Sequence, residues 1–366
     1  MRIGNLSSRP GATTGGTLSV GEVRLPVIIA QGARPGPTLY LQALQHPTEL
    51  IGVEVVRRVM GELDPEKLRG TVIASPIVNP VQAAWRAGLE QFGDLATPRQ
   101  RKRLESVNLN RVWPGKESGN LIERLAHAVW EQIVRQADAV VDLHCCRVCD
   151  YYFAAARDGH TASVALAKAW GAPLVDMQDE QSYSPGMLFL EAPRLLDKAA
   201  ILVEMSPGGD VVPEMLEHNV RGVWNVLKHL GMLPGRPRPP ARQVIVRRRD
   251  PVRVFTAKRE GYLTTYRQVG ELVAKGELLC AVRDLQTFRV LQTFCAPFEG
   301  TCPSIGPGSG LRIVKVGEEV GTFKRVVEGR GRVIWDLLDA ALIRERMNEP
   351  SRPLEEALHK RVGNAR

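Results

Sequence analysis

The chain has 366 residues, of which 44% are hydrophobic and 24% charged, with six cysteines and a formal net charge of +9. Such a composition excludes a disordered chain, a collagen-like repeat and a disulfide-stapled miniprotein. No apolar run reaches the roughly 20 residues that a membrane-spanning helix needs. The length suits one large domain plus a smaller one, or two of similar size, with ample chain to bury a core. The first residues carry no apolar signal core, and a thiol cluster at 144–150 fits a reducing compartment. The expected location is therefore the cytoplasm.

In chain order, the Gly/Ser/Thr-rich opening up to Leu25 reads as a loop or edge hairpin. LPVIIAQG is a strand and ARPGP a turn. TLYLQALQ is a second strand, apolar almost throughout, as a strand covered on both faces should be. HPTELIGVEVVRRVMGEL reads as a helix with apolar residues at Leu50, Val53, Val56 and Met60. TVIASPIVNP is a buried strand ended by Pro80, ESGNLIERLAHAVWEQIVRQ a helix and ADAVVDLHCC a buried strand. SVALAKAWG is a helix, AAILVEMSPGG a strand, and PEMLEHNVRGVWNVLKHLG a long helix stopped at Gly231. Strands alternating with helices predict an α/β fold: a mixed, mainly parallel sheet with helices on both faces.

The composition changes in the proline-rich stretch MLPGRPRPPARQ at 232–243, which reads as a linker. Beyond it, short apolar runs separated by glycine turns predict a small all-β module, closed by a charged helical tail, VIWDLLDAALIRERM. The predicted domains are residues 1–235 and residues 236–366.

Three strand ends carry chemistry. His46 and Glu49 follow a buried strand. Pro47 biases His46 to an extended conformation and suits a first helical position. His46 is then the last strand residue, and Glu49 sits in the first helical turn. Asp142 and His144 close the strand AVVDLH, where Asp142 can orient the imidazole. Two His and one Glu form the three-ligand set of a catalytic zinc. Glu204 ends the strand AAILVE, where a buried carboxylate is costly unless it does something. Beside a metal it can serve as a general base. Asn110 and Arg111, in NLNRVWPG, offer a planar amide and a guanidinium fork suited to a carboxylate. The bland readings are a helix-favouring Glu49, a core histidine at 144 and a Glu204 that anchors the SPGG turn.

Taken together, H-x-x-E, N-P after a strand, N-L-N-R-x-W-P-G, D-L-H and V-E-x-x-x-G-G, in that order and followed by a β module, resemble the succinylglutamate desuccinylase/aspartoacylase family of the zinc carboxypeptidase clan. The resemblance covers roughly residues 25 to 325. It implies a zinc-dependent amidohydrolase, a deacylase acting on a small N-acylated amino acid or related amine, with one Zn2+ per chain. By motif, it implies that His46, Glu49 and His144 are the metal ligands, that Glu204 is the general base and later acid, and that Asn110 and Arg111 grip the substrate carboxylate. The oxyanion arginine implied is Arg103, with Arg86 as the alternative. The β module resembles the family's barrel-sandwich domain. The chain departs from the family at Pro47, where H-G-x-E is common. Cys145, Cys146 and Cys149 have no assigned role and read as buried thiols, with a second metal site as the alternative.

The expected partner is a small-molecule substrate bearing a carboxylate, with no membrane; a homo-oligomer is left open. Two alternatives stand beside the deacylase: a metallocarboxypeptidase acting on a peptide, and a non-enzymatic, basic nucleic-acid-binding protein using the runs at 98–103 and 244–250. Nucleic acid is the less expected partner, because no helix-turn-helix, zinc-finger spacing or RNP-type strand is present, and an anionic small molecule explains the basic bias equally well.

Overall fold

The computed structural model describes residues 1–84, 108–145, 152–179, 181, 185–206, 211–240, 243–247, 252–267, 271–305 and 313–328. Strands β1 (Arg2–Ile3) and β2 (Leu6–Ser7) make a small hairpin ahead of a long one, β3 (Ala12–Val20) and β4 (Val23–Gln31). Then come β5 (Arg34–Ala43), α1 (Leu50–Glu62), β6 (Arg69–Ser75), the short α2 (Pro80–Ala84) and a 3₁₀ turn at Leu109–Arg111. They are followed by α3 (Leu121–Gln132), β7 (Ala139–His144), β8 (Phe153–Arg157), α4 (Thr161–Trp170), β9 (Leu174–Gln178), α5 (Leu188–Leu196), β10 (Ala199–Glu204) and α6 (Pro213–His229).

These elements build one large mixed sheet in the order β3-β4-β6-β5-β7-β10-β8-β9, continued by β11 (Val244–Arg247). The centre, β6-β5-β7-β10, is parallel throughout. β8 turns against β10, and β8, β9 and β11 are then parallel to one another. The burial explains the sequence pattern. β6 is buried from Gly70 to Ser75 and β7 along its whole length, so both read as unbroken apolar runs rather than alternating ones. Helices start and stop where local chemistry allows. Asn120 and Glu123 form a capping box at α3, and α4 ends on Gly171 with φ 97°.

The predicted stripe on α1 is rotated. The buried face is Ile51, Gly52, Val55, Val56, Val59 and Met60, and Leu50 is exposed. Gly52 explains why: a Cβ there would lie 3.0 Å from Ala43 Cβ, 3.1 Å from Met205 Cε and 3.3 Å from Leu143 Cβ. The helix is pressed onto the ends of the strands that carry the candidate residues.

After α6 the chain runs into the proline-rich stretch. This stretch lies against the helices, with the Arg238 N–H donating to Asn225 Oδ1 and Gln243 Nε2 to the carbonyls of Lys168 and Ala172. Val244, Ile245 and Val246 are then buried as part of β11 beside β9. The apolar triplet inside the basic run at 244–250 thus finds a ladder in the large sheet. The remaining strands are short and antiparallel: β12 (Val252–Thr256), β13 (Gly261–Thr265), β14 (Leu272–Val273), β15 (Leu278–Arg283), β16 (Val290–Cys295), β17 (Gly300–Ile305), β18 (Ile313–Val314) and β19 (Glu319–Glu328). They bury a second core around Leu263, Leu279, Phe294, Val320 and Phe323. β19 pairs with β11 at its far end, so the ladder runs on from the large sheet into these strands. The tail expected to be helical at 333–347 lies outside the described residues.

The close approach of α4 and α6 gives a stability test. A Cβ on Gly222 would fall 2.4 Å from the buried indole of Trp170. Gly222→Ala is expected to destabilise the protein by about 1–3 kcal/mol, the usual effect of overpacking. A thermal melt should show this as a lowered midpoint.

Candidate metal centre

Four parallel strands deliver polar side chains to one edge of the sheet. Gln42 on β5 stands opposite Ser75 on β6 and Asp142 on β7, and His144 stands opposite Glu204 on β10. This is the carboxyl edge, where open α/β sheets place their ligands. β5 stops at Ala43, and Leu44 takes a left-handed φ of 57°. A leucine there is strained, of the kind that clusters at functional sites. The turn it starts carries His46 beyond the strand, and the Glu49 N–H reaches back to the His46 carbonyl at 3.3 Å. Glu49 is the residue capping α1. The sequence reading of His46 as the last strand residue and of Glu49 inside the first helical turn is corrected accordingly: both lie in the loop between β5 and α1.

His46, Glu49 and His144 converge, with one ligating atom from each within 4.8 Å of the others. His46 Nδ1 lies 2.8 Å from Glu49 Oε1, and His144 Nδ1 lies 3.2 Å from Glu49 Oε2. Glu49 and His144 are buried and His46 is half-buried. Two tetrahedral ligands about 2.1 Å from one ion are about 3.4 Å apart, so this donor set fits a divalent metal with little movement.

Each imidazole is held by its far nitrogen. His46 Nε2 faces Asn108 Oδ1 at 3.3 Å, and the same oxygen accepts the Asn110 N–H at 2.9 Å. An amide oxygen only accepts, so Nε2 carries a proton and Nδ1 is left for a metal. His144 Nε2 lies 3.1 Å from Asp142 Oδ2. Asp142 also accepts from Gln42 Nε2 at 2.9 Å and from Gln45 Nε2 at 2.7 Å. Trp113 Nε1 donates to Gln45 Oε1 at 3.2 Å, and Asn79 Nδ2 to the Gln45 carbonyl at 3.1 Å. The expected orienting role of Asp142 matches this contact. The roles of Gln42, Gln45 and Asn108 were missed. Their signal was two glutamines inside an apolar strand, where a polar side chain must find a partner.

Glu204 is half-buried on the strand next to His144. Beyond it the chain is pinned by α6, whose Asn219 Nδ2 donates to the carbonyls of Met205 and Met215. Asn110 is buried on the 3₁₀ turn, and its Oδ1 has no hydrogen-bond partner among the described residues. Arg111 beside it is exposed, with its guanidinium on the Asn110 carbonyl at 2.6 Å. Gly186 backs this turn: a Cβ there would lie 2.4 Å from the Arg111 carbonyl oxygen. Cys145 is buried next to His144. Arg103, Arg86, Cys146 and Cys149 lie outside the described residues.

A model of the succinylglutamate desuccinylase/aspartoacylase catalytic domain matches residues 35–230. The chain belongs to the succinylglutamate desuccinylase/aspartoacylase family. It is 29% identical over 322 residues to an N-alpha-acetyl-L-2,4-diaminobutyric acid deacetylase of Halomonas elongata, covering 85% of this chain and 88% of that protein. The apo structure of the ectoine utilization protein EutE (DoeB) from Ruegeria pomeroyi superposes with a TM-score of 0.67 at 25% identity, over 87% of this chain and 96% of that one. A succinylglutamate desuccinylase/aspartoacylase from Rhodobacter sphaeroides superposes with a TM-score of 0.66 at 24% identity, over 90% and 100%. The likeness therefore includes the strands after β11 as well as the catalytic domain. Like the family it joins, the chain is a hydrolase of the deacylase class.

Electrostatics set a pH test for this family member. Burial alone would raise the Glu49 carboxyl, but the charges and hydrogen bonds of His46 and His144 outweigh it and hold it at about 2. Burial alone would lower His144, yet Asp142 and Glu49 hold it well above the ordinary imidazole range. In the metal-free protein, the Glu49 contribution is full above about pH 4.3 and fades as pH falls toward 2. The His144 contribution is full below about pH 6.5 and fades as pH rises through its elevated value. Ligands must be neutral imidazoles, so metal uptake at pH 7 is expected to release a proton from His144. Calorimetry in two buffers of different ionisation enthalpy measures that proton directly. The release should shrink as the pH is raised.

Proposed function

We propose that the protein is a zinc-dependent deacylase that hydrolyses the amide bond of a small N-acylated amino acid or related amine bearing a carboxylate. The observation that carries this reading is the convergence of His46, Glu49 and His144 at the sheet edge. His46 and His144 would each offer Nδ1, and Glu49 its carboxylate, to one Zn2+ per chain. Zinc in such a site supplies Lewis acidity, making water a nucleophile near neutral pH and polarising the acyl carbonyl.

The rest of the chemistry belongs to side chains of this chain. Glu204, one strand over from His144, takes the proton of the attacking water and returns it to the amine nitrogen as the C–N bond breaks. Asn110 and Arg111 hold the substrate carboxylate, the buried amide giving direction and the guanidinium charge. Arg103, with Arg86 as the alternative, stabilises the oxyanion. The products are a carboxylic acid and a free amine. The reading places the enzyme in the cytoplasm, where thiols such as Cys295 and Cys302 stay reduced. No described helix is long and apolar enough to cross a membrane.

The substrate class is tested by a hydrolysis screen of the zinc-loaded protein against N-acetyl and N-succinyl amino acids, N-acetyl-L-2,4-diaminobutyrate and C-terminal dipeptides. Release of acetate or succinate is expected. Cleavage of the dipeptides alone would replace the deacylase by a carboxypeptidase.

The roles are tested by two substitutions. His144→Ala should lose stoichiometric zinc. Glu204→Gln should keep zinc and the folded state while kcat falls roughly 10²–10⁴-fold, the usual share of a positioned acid–base group. KM should move much less, because the loss belongs to the transition state. Full turnover by zinc-loaded Glu204→Gln would remove Glu204 from the reaction.

A further inference from the structure

Behind His144 lies a buried arrangement that the proposed chemistry does not use. The Gln45 side chain is fully buried, Trp113 and His144 nearly so, and Asp142 fully. Gln45 Nε2 lies 2.7 Å from Asp142 Oδ2 and 3.1 Å from His144 Nε2, while Gln45 Oε1 receives the Trp113 indole N–H at 3.2 Å. An indole nitrogen only donates, so it fixes which end of the amide faces it. The oxygen must point to Trp113, and the NH₂ group must then point to Asp142. A reversed amide would press its oxygen against a carboxylate oxygen 2.7 Å away. Trp113 therefore sets the sense of the Gln45 amide, the amide holds Asp142, and Asp142 holds the imidazole.

Trp113 is also anchored to the turn that carries Asn110 and Arg111. It lies two residues beyond Arg111, and its own N–H is held by the Gly186 carbonyl at 3.2 Å. At the other end of the same turn, Asn108 holds His46. The loop 108–113 thus reaches the far nitrogen of both histidines, directly at one and through Gln45 at the other.

We propose that Gln45 and Trp113 are a positioning pair that keeps His144 aligned with the Asn110–Arg111 turn, so that metal geometry and substrate placement are set together. The inference rests on the zinc deacylase reading. Neither residue touches the reacting atoms.

The test uses Trp113→Phe, which keeps a ring and deletes the N–H, Gln45→Met, which keeps length and deletes the amide, and the double variant. Zinc affinity by competition, the visible spectrum of the Co2+-loaded protein, kcat, KM and melting temperature are measured on each. The wild type is measured first. Wild-type protein that takes up no zinc overturns the zinc reading itself, independently of the pair. Given a metal-loaded, active wild type, each single variant is expected to lose about 10–100-fold in zinc affinity, the usual effect of removing a partner behind a ligand. The Co2+ spectrum should shift and kcat should fall, with KM little changed. The double variant should be no worse than the poorer single one, because either change breaks the same chain of contacts. Should one single variant not fold, the other carries the same expectations. Variants with wild-type zinc affinity and Co2+ spectrum but a lower melting temperature would make the pair packing only. Losses that simply add in the double variant would show that the two residues act separately. Either result overturns the proposal.

Discussion

The carboxylate of Asp142 is fully buried, and much of the candidate centre is arranged around that one anion. An unpaired charge in such a place is prohibitively costly. Here three groups answer it: the amides of Gln42 and Gln45 and the imidazole of His144. Those groups come from β5, from the turn after it and from β7 itself. Satisfying Asp142 thus fixes the register of two strands, the path of the loop that carries His46 and Glu49, and the orientation of a histidine. Removing any one partner leaves the others facing an incompletely paired charge, which is why such networks are worth more intact than the sum of their pairs.

The sequence makes much of this frame legible. Buried parallel strands are written as unbroken apolar runs, so the ends of β5, β7 and β10 could be marked at His46, His144 and Glu204 or within a few residues of them. The convergence of His46, Glu49 and His144 follows once those strands are neighbours, and the motif order points to the family. Other features are written only in long-range pairing. β8, β9 and β11 are too short and ordinary to announce their places, and β19 joins β11 from far along the chain. Periodicity along the chain contains nothing of that ladder, nor of the hydrogen bonds that hold the proline-rich stretch against α4 and α6. The glutamines were hidden for a related reason: a local pattern marks a residue as polar and buried but does not name its partner.

The left-handed Leu44 shows how local strain and function connect. A strand that simply continued would carry Gln45 and His46 to opposite faces of the sheet. The turn at Leu44 lets Gln45 fold back onto Asp142 while His46 moves on toward Glu49. The strain is held by the contacts it makes possible, and the Gln45 carbonyl, tied to Asn79, secures the turn from the other side.

Strand order also has a meaning in time. His46 and Glu49 follow β5, and His144 ends β7, its immediate neighbour in the sheet. β10, which carries Glu204, comes later in the chain and must take its place between β7 and β8, both already made. A chain emerging from the ribosome therefore presents all three metal-ligand candidates well before Glu204. On the reading we propose, the ligand residues leave the ribosome ahead of the general base, so a nascent chain carries the means to hold an ion before the means to use it.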